Sequence, residues 1–276
     1  MLKSILTGVC SIDKLDYLKR DAYHAGTPEY AIIDYYRVLN SLTYYPQDPY
    51  LVPVFKKKAL YALEGVILSY FYMYRAVYYH HAVRAAYLLF QNIIWEAFEK
   101  YDLQKDIFQL TEPDFWNSFD DYKFINLLYS KSKLCSKLNR FLYRKLPKQI
   151  KGIREANIGR IYEFFRENPS YKEKVSIEKK ITNELKEKYS GLEMILLDSP
   201  HVIPYPRSIY AAQRINVWDE NLEHEPENIG KISLHLLNLS DVSEKQAAAR
   251  VYVYPGEMRK MDSFIKDLNS VIMKSI

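Results

Sequence analysis

The stretch SIDKLDYLKRDAYHAG, residues 11–26, determines how the start of this chain folds. Its apolar residues recur at the three- and four-residue spacing of an α-helix: Ile12, Leu15, Leu18 and Ala22. Gly26 follows the last of them, and glycine commonly ends a helix because it adopts the left-handed conformation without strain. The spacing therefore predicts a helix over residues 12–24.

A nearly continuous polar stripe covers another face of this predicted helix. Its members lie three and four positions apart: Asp13, Asp16, Tyr17, Arg20, Asp21 and His24. One interpretation is a solvated face with an ion pair between Asp16 and Arg20, because runs of charge usually face water. The order of the residues supports a second interpretation, in which the stripe is a binding site.

Length and composition bound the remaining possibilities. The chain has 276 residues, of which 48% are apolar, enough for one large domain or two ordinary ones. It contains only 8 glycines and neither a GxxxxGK nor a GxGxxG motif, so a phosphate-binding glycine loop is excluded. Scarce glycine also favours a mainly helical protein.

Charge and cysteine usage indicate a reduced, cytoplasmic setting. The net charge of +5 suits a protein that meets phosphates, although most mildly basic proteins bind no nucleic acid. Cys10 and Cys135 are too isolated for a disulfide framework or a zinc motif. The longest apolar stretch, 61–79, is interrupted by Glu64 and Arg75, so we expect a buried helix there and no membrane span.

Periodicity changes along the chain from helical to strand-like. Helices are predicted over 29–42, 57–101 with one break, 120–145, 153–167, 174–188 and 257–274. A proline-rich stretch, 43–55, is predicted as an extended connection. Short runs of β-branched and aromatic residues predict strands within 192–200, 214–220, 231–239 and 249–255.

These elements predict a mainly α fold followed by a small α+β region. We place the helical region, an incomplete bundle, at residues 1–147, because Pro147 ends the helical block. The second domain is expected at 148–276, with a small antiparallel sheet and flanking helices.

Two segments resemble the HD-domain phosphohydrolases, in particular the branch that acts on dNTPs. DKLDYLKRDAYHAG, residues 13–26, meets every fixed position of the pattern D-[KR]-x-D-Y-x-x-R-D-x-x-x-x-G, which marks the last metal-ligand helix of that branch. ALEGVILSYFYMYRAVYYHHAVRAA, residues 62–86, is similar to a later helix of the family. The matching positions there are Glu64, Met73, Tyr74, Val77, Tyr78 and His80.

The resemblance implies an HD-like helical bundle and a set of site residues. In that family an H…HD…D set binds one divalent metal, of the Mg, Mn, Fe or Ni/Zn class, which activates water for attack on phosphorus. Asp13 matches the final ligand. By the same resemblance Tyr17 and Asp21 contact the deoxyribose of a nucleotide ligand. Three further residues are expected near the triphosphate or base: Lys14, Tyr78 and His80.

The sequence also departs from the family pattern. No His-Asp dipeptide occurs, and the positions of a phosphate-binding arginine and a lysine are taken by Tyr70 and His81. We therefore expect this chain to be part of a dNTP phosphohydrolase, inactive alone, whose H…HD half is missing or supplied by a second chain. The alternative is a non-catalytic module for nucleotide sensing or assembly on a degenerate HD scaffold.

Other features admit more than one interpretation. His80 is either a buried, hydrogen-bonded histidine or a phosphate contact, and adjacent His80 and His81 cannot easily bind one ion. The tyrosines over 70–79 are expected in the core and at subunit contacts. The basic run 131–154 is interpreted first as a solvated helix face, and the alternatives are an anion or nucleotide regulatory site or a nucleic-acid-binding surface. A homo-oligomer is expected by analogy, and nucleic acid is not an expected partner.

Overall fold

The computed structural model describes residues 10–101, 103, 117, 119–200, 215–221, 224–233, 236 and 249–276. Its mainly helical architecture with small sheets confirms the predicted mainly α fold with an α+β part. The described residues form two compact units, one from Met1–His80 with Pro200–Ala248 and one from His81–Ser199 with Ala249–Ile276. The predicted domains, 1–147 and 148–276, assume a single boundary in the chain, and this division stays a prediction. No helix within the described ranges is long and apolar enough to cross a membrane.

The first unit begins with helix α1, Ile12–His24, as predicted. The Ser11 side chain accepts a hydrogen bond from the Lys14 backbone N–H, which caps the first turn. The predicted apolar face is buried at Leu15, Leu18 and Ala22.

The helix predicted over 29–42 is wrong for most of its length. A 3₁₀ turn covers Pro28–Tyr30, and the α-helix that follows, α2, spans only Tyr35–Leu39. The Asp34 side chain accepts a hydrogen bond from the Arg37 N–H, so it starts a new helix instead of continuing an old one. Ile32 is 75% exposed, so the apolar period that suggested one helix does not correspond to one buried face.

The predicted extended connection, 43–55, is a β-hairpin. Strands β1, Leu42–Gln47, and β2, Tyr50–Lys56, pair antiparallel through a two-residue turn. Strand β5, Asn216–Trp218, then pairs parallel with β2, and β6, Glu227–Asn228, completes the sheet in the order β1-β2-β5-β6. A strand predicted for the second domain therefore belongs to a sheet with residues of the first.

The long helix predicted over 57–101 has its one break. Helix α3, Leu60–Met73, passes into a π-helical turn, Tyr74–Tyr78, and helix α4, His81–Tyr101, follows. Helix α3 lies at the centre of the first unit, because its side chains are buried at Leu63, Val66, Ile67 and Met73. The strand predicted over 231–239 is wrong at its start, because residues up to Ile232 belong to a short helix, α9, Ile229–Ile232. Most of the remaining positions of that range lie outside the described residues.

The second unit contains α4 and two pairs of shorter helices. The single helix predicted over 120–145 is wrong, because a 3₁₀ turn at Ser132–Leu134 separates two helices. The four helices are α5, Asp121–Tyr129; α6, Cys135–Leu142; α7, Glu155–Arg166; and α8, Tyr171–Lys186. The last two lie close to their predicted ranges, and a Ser170–Glu173 capping box starts α8.

A small antiparallel sheet organises this unit, and two of its three strands lie in the predicted ranges 192–200 and 249–255. Its strands are β3, Lys148–Gln149; β7, Arg250–Tyr254; and β4, Met194–Asp198, with β7 in the centre. Helix α8 covers the outer edge of β4, where Thr182 and Glu178 side chains accept hydrogen bonds from strand N–H groups. Helix α10, Asp262–Ser275, packs its apolar side into the same core.

Candidate functional site

Helix α1 places three of the predicted site residues on one face. Lys14, Tyr17 and Asp21 follow one another at spacings of three and four residues, which align on a helix surface. All three are partly buried, and the adjoining face of the helix, Leu15, Leu18 and Ala22, is buried in the core. The burial of that core-facing side fixes which face of α1 carries the polar groups.

The second predicted segment meets this face through Tyr78. The Tyr78 hydroxyl donates a hydrogen bond of 2.5 Å to the Asp21 Oδ2. Burial, reinforced by this bond to Asp21, raises the pKa of the Tyr78 hydroxyl, so it stays a donor. The Tyr78 ring also meets that of Tyr17 edge-on, at 6.4 Å between centroids.

Further tyrosines complete what we call the tyrosine cluster, Tyr17, Tyr70, Tyr74 and Tyr78. The Tyr74 ring lies 4.4 Å from that of Tyr70 and 4.6 Å from that of Tyr78. Burial, followed by hydrogen bonding to Tyr74, raises the pKa of both Tyr17 and Tyr70. The cluster therefore presents aromatic edges and, at Tyr17, Tyr70 and Tyr78, protonated hydroxyl groups.

Lys14 brings one positive charge to the cluster. Its Nζ lies 5.3 Å from the centroid of the Tyr70 ring, within the range of a cation–π contact. Lys14 and the Asp21 carboxylate are the two charged groups that contact these tyrosines among the described residues. The site is thus rich in hydroxyl groups and close to neutral.

His80 is exposed, so the interpretation of a buried histidine is wrong. Its backbone N–H donates to the Val77 carbonyl at the end of the π-helical turn. Its predicted contact with the triphosphate or base stays a prediction.

Asp13 is exposed in the first turn of α1. Among the described residues, no group of three or more His, Cys, Asp or Glu side chains is placed to hold a metal ion. One carboxylate does not fix a catalytic metal, because about three convergent protein ligands are usual. Asp13 can therefore act as a ligand only together with groups from outside the described residues.

Sequence reasoning left Tyr70 and Tyr74 out of the candidate site, because it assigned them to the core and to subunit contacts. Both are half-buried members of the tyrosine cluster. The signal was present in the spacing, since positions 70, 74 and 78 fall on one helical face that also carries the matched Tyr78.

A second candidate site, the cationic pocket, lies within the second unit. It has a volume of about 360 Å³ and forms where α6 and β7 end. Its cationic lining consists of Arg144, Lys145, Lys148, Arg259 and Lys260, and Glu257 is the one acidic residue that lines it. None of these cations forms an ion pair with another described residue, so their charge is available to an anion.

Backbone geometry shapes this pocket. Arg144 has a φ of 56°, a left-handed conformation that turns the chain directly after α6. A Cβ atom on Gly256 would lie 2.5 Å from the Lys148 Cγ, so only glycine lets the lysine stem cross this position. The basic run 131–154 is accordingly more than a solvated face, because its end contributes to a pocket.

Comparisons with known proteins identify the class. The fold is similar to a hypothetical protein from Aquifex aeolicus, with a TM-score of 0.58 and 19% identity over 98% of this chain and 59% of that one. It is also similar to a phosphohydrolase, BT4208, from Bacteroides thetaiotaomicron, with a TM-score of 0.53 and 18% identity over 92% of this chain and 63% of that one. These two likenesses show that the chain shares its fold with both structures.

The chain belongs to the family described as the HD associated region, which matches residues 33–271. Sequence relatives include the uncharacterised proteins MJ1154 of Methanocaldococcus jannaschii, 34% identical over 110 residues, and YwfO of Bacillus subtilis, 31% identical over 99 residues. These matches cover 40% and 36% of this chain but only 24% and 22% of the relatives. The chain also spans about three fifths of the solved structures it resembles.

Proposed function

We propose that this chain is part of an HD-type phosphohydrolase that hydrolyses a deoxynucleoside triphosphate. The observation that carries the proposal is the hydrogen bond from the Tyr78 hydroxyl to the Asp21 carboxylate. The two bonded residues lie 57 positions apart in the sequence, one in each of the two segments that resemble the family. Because Lys14 and Tyr17 lie in the same cluster, four of the six predicted site residues can contact one ligand.

Each group in the cluster has a chemical role in this proposal. The Lys14 ammonium group neutralises part of the phosphate charge. Tyr17 and Asp21 bind a sugar hydroxyl and exclude a 2′-hydroxyl by size, while Tyr78 orients the carboxylate. His80 reaches toward the triphosphate or base.

Metal chemistry enters the proposal through Asp13. A divalent metal, when bound, would activate water for attack on phosphorus, and Asp13 would supply one of its ligands. The H…HD ligands come from a second chain or another segment. We also propose that the assembly is a cytoplasmic homo-oligomer.

Reconstitution tests this function. The chain is mixed with the separately expressed H…HD segment of a longer relative, and triphosphate release from dGTP is measured with Mn²⁺. We expect release only from the mixture, and its loss in Asp13→Asn. Glu29→Gln, which alters an exposed carboxylate of the same unit, serves as the control. A stable mixture that releases no triphosphate would contradict the proposal.

Nucleotide sensing without catalysis is the second candidate function, and the cationic pocket favours it. Its five cations surround a volume that suits a small polyanion such as a nucleoside triphosphate. Titration calorimetry of the chain alone with dGTP, without metal, tests this function. Binding that is lost in Lys148→Glu and kept in Lys151→Glu supports it, whereas equal binding by both variants would refute it.

A further inference from the structure

The lining of the cationic pocket also contains uncharged residues. Leu146, Tyr254 and Pro255 line it together with the five cations. Leu146 packs against the hydrophobic core of the same unit, so its place beside the pocket is fixed. A chain of phosphates needs only the cations, because its charged oxygens gain no free energy from apolar surface. The lining therefore suits a ligand that carries an apolar part next to its negative charges.

Tyr254 is the one aromatic residue in this lining, within the part of the chain that the structure describes. It ends strand β7 and is half-buried. The guanidinium group of Arg140, on α6, lies over its ring, with 4.4 Å between Cζ and the ring centroid. A guanidinium at this distance is attracted by the face of the ring. One face of Tyr254 is thus covered by Arg140, and a planar ligand can stack only on the opposite face.

Arg140 is itself held by Glu193. Its Nη1 and Nη2 atoms donate hydrogen bonds of 2.5 and 3.1 Å to the two carboxylate oxygens of Glu193, the paired geometry of a strong arginine–carboxylate contact. The Glu193 backbone N–H in turn donates to the Tyr254 carbonyl at 3.0 Å. These contacts orient the Tyr254 ring before a ligand arrives, so stacking on it costs little conformational entropy.

We propose that the face of the Tyr254 ring opposite Arg140 stacks on the base of a nucleotide whose phosphates bind the cations of the pocket. The inference rests on the nucleotide-sensing function proposed for this pocket, and it adds the class of ligand: a nucleotide, in preference to a polyphosphate without a base. Every base presents a π face, so the stack accepts nucleotides as a class and does not tell one base from another.

Titration calorimetry of the chain alone, without metal, tests the stack by comparing dGTP with tripolyphosphate. Tripolyphosphate has three phosphates and no base, and it carries at least as much negative charge, so the cations alone cannot favour dGTP. We expect the wild-type chain to bind dGTP about ten-fold more tightly, as for one base stacked on an aromatic side chain. Equal affinities, or tighter binding of tripolyphosphate, would overturn the inference.

Two variants of Tyr254 and one matched control assign the preference to this ring. Tyr254→Leu keeps an apolar side chain and removes the ring, so the two ligands should bind with about equal affinity. Tyr254→Trp keeps a stacking surface and should preserve the preference. Tyr143→Leu is the control, because Tyr143 is 74% exposed and lies outside the pocket lining. An equal loss of preference in Tyr254→Leu and Tyr143→Leu would contradict the assignment.

A second readout uses the wild-type chain and does not depend on how a variant folds. Carbon-13 labels in the tyrosine rings report stacking by NMR, and the Tyr254 signal is assigned by its absence from Tyr254→Trp. We expect dGTP to shift the Tyr254 signal, tripolyphosphate to leave it nearly in place, and the Tyr143 signal to stay unchanged with both.

The outcomes separate this inference from the proposed functions. Binding of dGTP that leaves the Tyr254 signal unmoved refutes the stack and leaves nucleotide sensing intact. Failure of both ligands to bind refutes the stack and the sensing function together. Hydrolysis of dGTP by the reconstituted enzyme is measured separately, and its failure would leave these binding results unchanged.

Discussion

The tyrosine cluster and the cationic pocket, the two nucleotide sites that we propose, are built in opposite ways. The cluster is half-buried, its Tyr78 hydroxyl donates a hydrogen bond to Asp21, and its Lys14 charge is balanced by Asp21. The pocket is exposed, its five cations have no ion-pair partners among the described residues, and Glu257 is the one acidic side chain that lines it.

This difference indicates what each region can recognise. Partly buried hydrogen bonds depend on geometry, and leaving one unmade is costly, so the cluster is suited to tell similar ligands apart. Exposed charges attract any anion of sufficient charge, and dissolved salt weakens that attraction. We expect selectivity to reside in the cluster and salt-dependent affinity for phosphate in the pocket.

The largest effect is expected from breaking the bond between the two segments of the cluster. Asp21→Ala leaves the Tyr78 hydroxyl without its acceptor and removes the carboxylate from the proposed sugar site. Triphosphate release by the reconstituted enzyme should fall about 100-fold, the usual loss when one preorganised polar group is removed from a site. Glu29→Ala, in the same assay, should change the rate less than two-fold. A rate for Asp21→Ala within three-fold of wild type would mean that the bond is only structural.

Charge reversal in the pocket should have the next largest effect. Lys148→Glu replaces one of five cations with an anion, so dGTP affinity should fall about 30-fold in 50 mM NaCl and the difference should shrink in 500 mM NaCl. Calorimetry at both salt concentrations measures this loss. Lys151→Glu changes the net charge equally but lies outside the pocket lining, and it should cost little. Equal losses in the two variants would assign the binding to net charge alone.

A smaller change in the same pocket comes from Gly256→Ala. The new Cβ would collide with the Lys148 stem and push its ammonium group aside without altering any charge. We expect dGTP affinity to fall about three- to ten-fold, as for one misplaced phosphate contact. Gly159→Ala is the control, because a Cβ there meets nothing within 4 Å. Unchanged affinity in Gly256→Ala would show that dGTP binding does not depend on the position of the Lys148 side chain next to Gly256.

The smallest expected effect is a loss of stability at alkaline pH, caused by the tyrosines of the cluster. Burial raises the pKa of Tyr17, Tyr70 and Tyr78 in the folded chain. Their protons leave the unfolded chain near pH 10 but stay on the folded one, so the folded state binds more protons and its stability falls as the pH rises beyond that value. The melting temperature should therefore drop above about pH 10, and less so in Tyr70→Phe. A drop of equal size in Tyr70→Phe and Tyr72→Phe would assign it to other groups.

Much of the helical fold was predictable because its causes are local. Helix α1 begins and ends where the apolar period and Gly26 place it. The break within 57–101 also occurs as predicted. The helix predictions failed where a side-chain cap or a tight turn interrupts the helix, and a hydrophobic pattern does not detect such interruptions. Asp34 captures a backbone N–H and starts α2, and the 3₁₀ turn at Ser132–Leu134 divides the basic helix.

The sequence by itself determined the mainly α class, the first helix and the two segments that resemble the HD phosphohydrolases, because periodicity, caps and residue order act over a few turns. Only the tertiary structure decided which distant pieces meet. Strand β5 pairs with β2, Tyr78 bonds to Asp21, and Arg259 joins Lys148 around one pocket. Each of these contacts closes a long loop, and a loop of that length can close on many partners. The burial and hydrogen bonding that select one of them exist only in the folded chain.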